Sequence, residues 1–284
     1  GTRLINDEQG INTTRSQGHR FGMRLEHEFS DNTSIIFEPQ VNFGAGSFNQ
    51  YSDFQTYTEV GEVRDSTNRG YNSNLGDNNN WSASGFLVFR HRLGKPGRTI
   101  SANVRFSFSN NELLGYNQAL TQEKDAATAL WSDEIINQRF DQNSKSSSLN
   151  GRFVYTEPLT DVLFLEVNYQ YSWSRNTFAK KTFNSGTDDR DENNMLVFNP
   201  NGESEDERYS NRILNRSITQ RAGVNFSYQK EKIRAQIGAS ANPTDTYNET
   251  TGHDPYRSIV TNWSPQAMFN YEFSDYSNIR LFYF

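Results

Sequence analysis

The densest group of metal-binding side chains in this sequence lies in the hydrophilic stretch 179–208. Carboxylates stand at Asp188, Asp189, Asp191 and Glu192, and more follow the apolar run 195–198, at Glu203, Glu205, Asp206 and Glu207. Calcium takes about six to eight oxygen ligands, so carboxylates at this density could bind it, but their spacing matches no EF-hand loop. A solvated acidic loop is the favoured interpretation, and calcium binding is the alternative.

A second set of charged residues occupies alternate positions in segments whose other positions are apolar. The odd positions from Leu163 to Trp173 are all apolar, and Glu166, Asn168 and Gln170 stand between them. A period of two places the two sets on opposite faces of a β-strand. The charged residues predicted to share the polar face are Arg20, Arg24, Glu26, Glu28, Glu38, Arg90, Arg105, Arg152, Glu166, Arg221, Arg234, Glu272 and Arg280. The favoured role of these charged residues is to solvate and brace a water-facing wall of the sheet. The alternative is that they line a path for a substrate.

Enzyme, cofactor and nucleic-acid classes find little support in the sequence. It contains no G-x-S-x-G, no H-E-x-x-H and no glycine-rich phosphate loop. The absence of cysteine excludes disulfides, thiolate metal sites and cysteine nucleophiles. The net charge is −6 and the 28 Lys and Arg residues form no basic stripe. We therefore expect no catalysis, no cofactor and no nucleic-acid partner.

The elements that must position these residues are strands separated by short polar turns. Turns are predicted at 30–33, 94–97, 157–160, 229–232 and 274–277. The alternating segments predict ten strands, at 19–30, 34–63, 81–93, 98–110, 147–157, 161–178, 209–228, 233–248, 256–273 and 278–284. Most are long enough for the roughly nine to eleven residues that a tilted membrane-spanning strand needs.

Between those turns, the sequence predicts long hydrophilic connections. They fall at 64–80, 111–146, 179–208 and 243–255, and a short helix is expected within 118–140. Short turns on one side and long loops on the other are typical of an outer-membrane β-barrel, with the long loops outside the cell. Trp131, Asp188, Asp189 and Asp191 are then the candidate extracellular ligand contacts. The fold class predicted is all-β, an antiparallel transmembrane β-barrel.

Composition agrees with a barrel. A mean hydropathy of −0.86 is low, but only alternate strand residues of a barrel meet lipid, and its loops are polar. Aromatic residues make up 14% of the chain, which suits the aromatic girdles of a barrel and argues against a disordered chain. The nine candidate lumen-facing residues are Arg24, Glu26, Glu28, Arg105, Arg152, Glu166, Arg221, Arg234 and Glu272.

Strand direction predicts that residues 1–284 are one segment of a larger barrel. If the short turns are periplasmic, the first strand runs inward and the tenth runs outward, so both chain ends lie outside the cell. A complete single-chain barrel has periplasmic termini. At least one further strand is therefore expected before Thr2 and one after Phe284.

Three stretches resemble the barrel of the TonB-dependent receptor-like outer-membrane proteins of the Bacteroidetes type. They are Tyr155–Leu159, Trp263–Tyr271 and Asn278–Tyr283. The resemblance implies a roughly 22-stranded barrel around an N-terminal plug, with a periplasmic TonB box that couples import to the inner membrane. This chain shows neither plug nor box.

The resulting hypothesis is a barrel segment of an outer-membrane receptor for TonB-dependent uptake of a large or scarce nutrient, such as a glycan, a peptide or a metal chelate. The expected partners are the lipid bilayer, the TonB system through a plug outside this chain, and a surface lipoprotein. The alternatives are a passive porin or a secretion or assembly barrel, and a soluble β-rich binding or structural protein, since an alternating strand can equally pack one face on a core.

Overall fold

A computed structural model of the chain describes residues 2–274 and 276–283, and every regular element in that part of the chain is a β-strand. The strands are β1 (Thr2–Gly22), β2 (Leu25–Ser30), β3 (Thr33–Val60), β4 (Val63–Arg92), β5 (Thr99–Lys124), β6 (Trp131–Pro158), β7 (Leu163–Asn184), β8 (Ser204–Glu205), β9 (Asn211–Lys230), β10 (Ile233–Thr250), β11 (Tyr256–Ser274) and β12 (Ser277–Tyr283). The predicted all-β, antiparallel class is confirmed.

All strands belong to one 12-stranded sheet in the order β1-β3-β4-β5-β6-β7-β9-β10-β11-β12, with β2 beside β3 and β8 beside β7. Because β1 and β2 follow one another along β3, the sheet is ten strands wide, as the alternation predicts. All of the pairings between neighbours in this order are antiparallel. In the described part of the chain, β1 and β12 are the two ends of this order.

Prolines interrupt the ladder without shifting its register. A bulge is expected at Pro39, yet the pairing of β3 with β1 and with β2 keeps one register on both sides of it. Proline has no N–H to donate, so the ladder opens opposite it, at residues 23–24. A proline inside a strand also predicts a bulge at Pro265. Pro265 is paired with Ala239 without a register shift, so both predicted bulges are wrong.

The two ends of the sheet differ in their connections. The short-turn end carries 31–32, 93–98, 159–162, 231–232 and 275–276, which matches all five predicted turns. Asp275 in the fifth turn and Phe284 at the end of the tenth predicted strand lie outside the described residues. The loop end carries 61–62, 125–130, 185–210 and 251–255. Gly61 has a φ of 64°, which a two-residue turn requires and which glycine adopts without strain.

Most of the predicted long connections are strand. β4 covers 64–80, and β5 and β6 cover 111–146 apart from the turn 125–130. The helix expected within 118–140 is wrong, since β5, that turn and β6 occupy the range. β10 likewise continues to Thr250, so 185–210 is the one long loop among the residues that the structure describes. The hydrogen bonds between strands join backbone groups and do not involve side chains. A strand with a neighbour on each side can therefore continue through residues whose side chains are polar.

The described residues contain no helix with the length and hydropathy that crossing a membrane requires. The buried apolar core is small and lies at the loop end. It consists of Tyr71, Leu120 and Leu196, with Tyr51, Ile135 and Met195 packed against it. Elsewhere, the strands depend on their ladders more than on a core.

A close approach between β9 and β10 requires glycine. A Cβ at Gly238 on β10 would lie 2.6 Å from the Val224 carbonyl oxygen and would also overlap the Asn225 side chain. Gly151 on β6 has no atom within 4 Å of the same position.

We expect Gly238→Ala to lower the free energy of unfolding by about 1 to 3 kcal/mol, because backbone atoms of β9 would have to move. Gly151→Ala is the matched control and should stay close to wild type. The measurement is the urea midpoint of the protein folded in detergent. Equal midpoints for the two variants would contradict the close packing at Gly238.

Candidate functional site

The register brings the charged residues on the polar parity to one face of the sheet. A lateral row of directly paired residues runs from β2 to β9 through Glu26, Ile36, Val88, Asn103, Arg152, Gln170 and Arg221. Directly paired residues point to the same side. We call this side the polar face and the other side the apolar face.

The remaining candidates also belong to the polar face. Glu28, Arg105 and Glu166 lie an even number of positions from members of that row on their own strands. Arg234 pairs with Gln229 on β9 and with Asn270 on β11, two residues before Glu272. That this face lines a lumen stays a prediction.

Arginine and glutamate side chains form a local cluster beside the break between β1 and β2. The Arg24 guanidinium donates to Glu26 at 3.1 Å and also to Glu38. The Arg105 guanidinium lies 5.3 Å from the centre of the Phe86 ring, and Phe86 pairs with Glu38. Arg24, Glu38, Phe86 and Arg105 border a cavity of about 440 Å³. The side chains are largely exposed, so the cluster offers charge of both signs to a polar ligand.

Amide side chains form a second cluster, across β7, β9 and β11. Gln266 Nε2 donates to Asn225 Oδ1 at 2.6 Å, and Asn225 Nδ2 donates to Glu166 at 3.2 Å. The Gln266 bond passes over Gly238, which separates the two strands on this face. Arg221 Nη2 donates to Gln266 Oε1 at 3.4 Å. A contact between strands that are not neighbours is favoured on the concave side of a curved sheet.

Burial is inverted relative to a water-soluble sheet. On the polar face, Asn225 and Ser240 are each 4% exposed. On the apolar face, Val224 is 43%, Phe226 45% and Ile237 65% exposed. Along β9 the burial pattern alternates, with Gly223 and Asn225 buried and the apolar residues between and beside them exposed. The side that carries the large apolar residues is therefore the open side of the sheet.

The segment 185–210, here called the long loop, folds back onto the sheet at the loop end. The Leu196 N–H donates to the Tyr71 hydroxyl at 2.6 Å. Gln118 Nε2 donates to the Leu196 carbonyl at 2.8 Å, and Asn137 Nδ2 donates to the Val197 carbonyl at 3.0 Å. Gln118 and Asn137 are directly paired across β5 and β6. Two buried amides therefore satisfy backbone groups of the loop that water cannot reach.

The long loop is anchored on the apolar face. Leu120 and Gln118 share the parity of Phe106 and Phe108 on β5, and β5 pairs with β6 without a register shift. Further contacts follow the same face, where Arg190 Nη2 donates to Asp133 at 2.8 Å. The loop covers the projecting parts of β4, β5 and β6.

The structure assigns local roles to the candidate loop contacts. Asp191 Oδ1 accepts the N–H groups of Asn193 and Met195, each at 2.9 Å, and so holds a tight turn. Asp189 accepts the Thr187 hydroxyl at 2.6 Å, and Asp188 is exposed. Trp131 begins β6 instead of lying in a helix, and its ring lies 4.6 Å from the Arg69 guanidinium carbon.

Metal binding by the acidic stretch gains no geometric support. In the described ranges 2–274 and 276–283, no group of three or more His, Asp and Glu residues is arranged to hold a metal ion. Several carboxylates of the long loop, such as Asp191 and Glu203, instead accept hydrogen bonds from backbone N–H groups or from arginine. Asp206, for example, accepts from Arg208 Nη2 and from Asn184 Nδ2, each at 3.2 Å.

The structure adds a charged cleft that the sequence pattern does not single out. It measures about 850 Å³ and lies where the long loop meets the ends of β7, β9 and β10. Lys180, Lys181, Arg208, Arg212 and His253 border it together with Glu205 and Glu207. These residues come from three separate stretches of the chain, 180–181, 205–212 and 253, which the long loop and the strand connections bring together.

No protein-family model matches this sequence, and no curated protein sequence matches it. Among solved structures, the chain is similar to the ferric-catecholate import receptor Fiu from E. coli K12. For the closed form, the identity is 12%, the TM-score is 0.41, and the match covers 95% of this chain and 49% of that chain. For the open form, the values are 11%, 0.43, 95% and 53%. The chain thus spans about half the length of those receptors, and similarity at this level defines neither a family nor a function for it.

The Gln118 side chain should control how firmly the long loop is held. We expect Gln118→Leu to leave the Leu196 carbonyl without its donor, at a cost of about 1 to 3 kcal/mol to loop docking. Limited trypsin digestion after Arg190 should then be faster than in wild type. Gln142→Leu on β6 is the control, because it removes a glutamine that makes no side-chain hydrogen bond within the described residues. If both variants are cleaved at the wild-type rate, Gln118 does not anchor the loop.

The second half of the long loop should lose order in acid. The pKa of the Asp206 carboxyl is lowered, first by hydrogen bonds from Arg208 and then by the bond from Asn184. A carboxyl group whose pKa is lower in the folded state stabilises the fold at pH values above its ordinary pKa of about 3.9. This stabilisation is lost as the pH falls through the lowered pKa of the folded state. Hydrogen exchange of residues 204–210 should therefore be well protected at neutral pH and lose protection in strong acid.

Asp206→Asn tests the same bond without acid. The variant should show weaker protection of residues 204–210 at neutral pH and a flatter pH dependence than wild type. Asp188→Asn changes an exposed carboxylate of the same loop and serves as the control. Protection in Asp206→Asn that follows the wild-type pH curve would contradict the role of this carboxylate.

Proposed function

We propose that this chain is part of the wall of an outer-membrane β-barrel receptor that imports a large or scarce nutrient by TonB-dependent transport. The inverted burial carries this proposal. A soluble sheet buries its apolar residues, whereas Val224, Phe226 and Ile237 are open here and Asn225 and Ser240 are buried. Lipid against the apolar face and water against the polar face would give each set of side chains a suitable surrounding.

Strand length supports the same assignment. β3 to β7 contain 22 to 30 residues each, whereas a tilted strand crosses the hydrocarbon layer in about nine to eleven. The excess lies toward the loop end, where Asn, Ser and Gly replace the apolar residues and the long loop packs. We infer that this end projects from the cell surface and that the short-turn end faces the periplasm.

The chemistry of the polar face favours a hydrogen-bonding ligand. Asn225, Gln266 and Arg221 form an amide and guanidinium network beside Glu166, and Arg24 with Glu38 adds charge of both signs. A wall of this kind can exchange hydrogen bonds with a glycan, a peptide or a metal chelate as it passes. The charged cleft at the loop end would give such a ligand a first contact outside the cell.

Coupling to TonB is the part of the proposal that depends on the sequence resemblance. The stretches Tyr155–Leu159, Trp263–Tyr271 and Asn278–Tyr283 resemble receptors of the Bacteroidetes type, in which a plug and a TonB box provide the coupling. A surface lipoprotein is a further proposed partner on the same basis. The barrel segment 1–284 would contribute wall and surface loops.

Arginine substitution on the two faces of β7 tests the membrane assignment. We expect Val167→Arg to destabilise the folded protein by about 2 to 4 kcal/mol if the site is near the bilayer midplane. Asn168→Arg should be mild, because the new guanidinium would share the polar face with Glu166. The measurement is reversible unfolding in lipid vesicles, and equal effects of the two substitutions would contradict the assignment of faces.

Uptake tests the proposed function itself. A deletion of the gene should impair growth on at least one ferric chelate, glycan or peptide supplied as the limiting nutrient, and loss of TonB should have the same effect. Arg221→Gln on the polar face should reduce that uptake, whereas Arg15→Gln on the apolar face should not. Normal growth of the deletion strain on all three nutrient classes, with the protein absent from the outer-membrane fraction of wild type, would contradict receptor function.

A further inference from the structure

Two arginines face each other on the apolar face without a carboxylate between them. Arg175 on β7 pairs directly with Arg216 on β9. Among the described residues, neither guanidinium lies within 4.0 Å of a carboxylate oxygen. Like charges directly opposite one another destabilise a sheet. An anion bound between them would remove that repulsion.

The row continues on the neighbouring strands β10 and β11. Arg216 pairs with Tyr247 on β10, and its guanidinium carbon lies 5.5 Å from the centre of that ring. Tyr247 pairs with Arg257 on β11, whose guanidinium donates to both oxygens of Asp245, at 2.9 and 2.8 Å. Asp245 therefore pairs directly with Arg257 and interacts with Arg216 only at longer range. Arg175 and Arg216 are the members of this row that have no direct carboxylate partner among the described residues.

An apolar trough lies on the same face, toward the short-turn end. The directly paired row Tyr169, Ala222, Ala241 and Trp263 places two small side chains between two aromatic ones. The trough is part of a cavity of about 740 Å³ that Val167, Val224 and Ile237 also border. The Tyr169 hydroxyl donates to Gln220 Oε1 at 2.7 Å. The polar groups of both side chains at this edge of the trough are therefore bonded to each other.

The arginine pair and the trough have the spacing of one amphiphile. Ala222 lies six positions after Arg216 on β9, or about 20 Å at roughly 3.3 Å per residue. Trp173 and Ile218, which pair directly, lie between the two. Cationic groups toward the loop end and an apolar trough toward the membrane interior match a lipid of the outer leaflet.

We propose that Arg175 and Arg216 bind the phosphate of a phosphorylated, acylated lipid of the outer leaflet, and that one of its acyl chains occupies the trough between Tyr169 and Trp263. Guanidinium groups match phosphate oxygens in geometry as well as in charge. This inference rests on the proposed function, because the apolar face must lie against the outer leaflet. The lipid would be a structural ligand of the wall and not the transported nutrient.

The test uses diphosphorylated lipid A as the probe, added to the intact protein purified in detergent and measured by native mass spectrometry. We expect binding to weaken by roughly tenfold for each guanidinium that is removed, in Arg175→Gln, in Arg216→Gln and further in the double variant. Arg15→Gln, an exposed arginine on the same face of β1, should bind as wild type does. Ala222→Phe should weaken binding by filling the trough while both arginines remain.

Two further measurements use the wild-type protein and so do not depend on the folding of a variant. Enzymatically dephosphorylated lipid A should bind as weakly as the double variant binds the intact lipid. Inorganic phosphate should fail to displace bound lipid A, whereas displacement would identify a site for free phosphate and overturn the proposal. Equal binding of intact and dephosphorylated lipid A, or unchanged binding by the double variant, would also overturn it.

Failure of this inference can be told apart from failure of the proposed function. If the protein is in the outer-membrane fraction and supports uptake but binds lipid A without regard to phosphate, only the lipid site is wrong. If the protein is absent from that fraction, the assignment of the apolar face to lipid is wrong and the lipid site with it.

Discussion

The backbone ladder between neighbouring strands is the constraint on which the other features of this protein depend. Each strand from β3 to β11 on the main path of the sheet has ladder partners on both sides, so its N–H and C=O groups are paired whatever side chains it carries. For this reason β4 continues as a strand through Asn72, Asn74 and the run 78–80. The same ladder lets one face be largely polar, because the fold does not require a continuous apolar core.

Curvature and register then give the two faces different surroundings. Contacts such as Gln266 to Asn225 reach across an intervening strand on the polar face, and they depend on Gly238, where any Cβ would overlap. On the apolar face the large side chains spread apart and remain open. Small residues within that face, such as Ala222 and Ala241, leave a trough instead of a smooth surface. Side-chain size along the strands therefore shapes both faces of one sheet.

The long loop shows how irregular backbone is held against a sheet that has little core. Its docking depends on a few apolar residues, Tyr71, Leu120 and Leu196, and on two buried amides, Gln118 and Asn137, that satisfy its backbone. Four of the eight acidic residues of the loop, Asp189, Asp191, Glu203 and Asp206, accept hydrogen bonds within the loop or from nearby arginines. Their density in the sequence therefore partly reflects loop architecture, and the charged cleft lies beside them at the loop end.

The sequence by itself determines the features that depend on local pattern. These are the ten strand positions, the five turns at one end, and the face on which residues such as Arg152, Glu166 and Arg221 lie. Local sequence is enough for them because a period of two and turn-forming residues act over short distances. Only the tertiary structure decides where strands end, that residues 118–140 form a hairpin and not a helix, and which face the long loop covers. It also decides that Arg175 meets Arg216. These features depend on pairing and packing between residues far apart in sequence, where a neighbouring strand or a buried amide overrides the local preference of polar residues for loops.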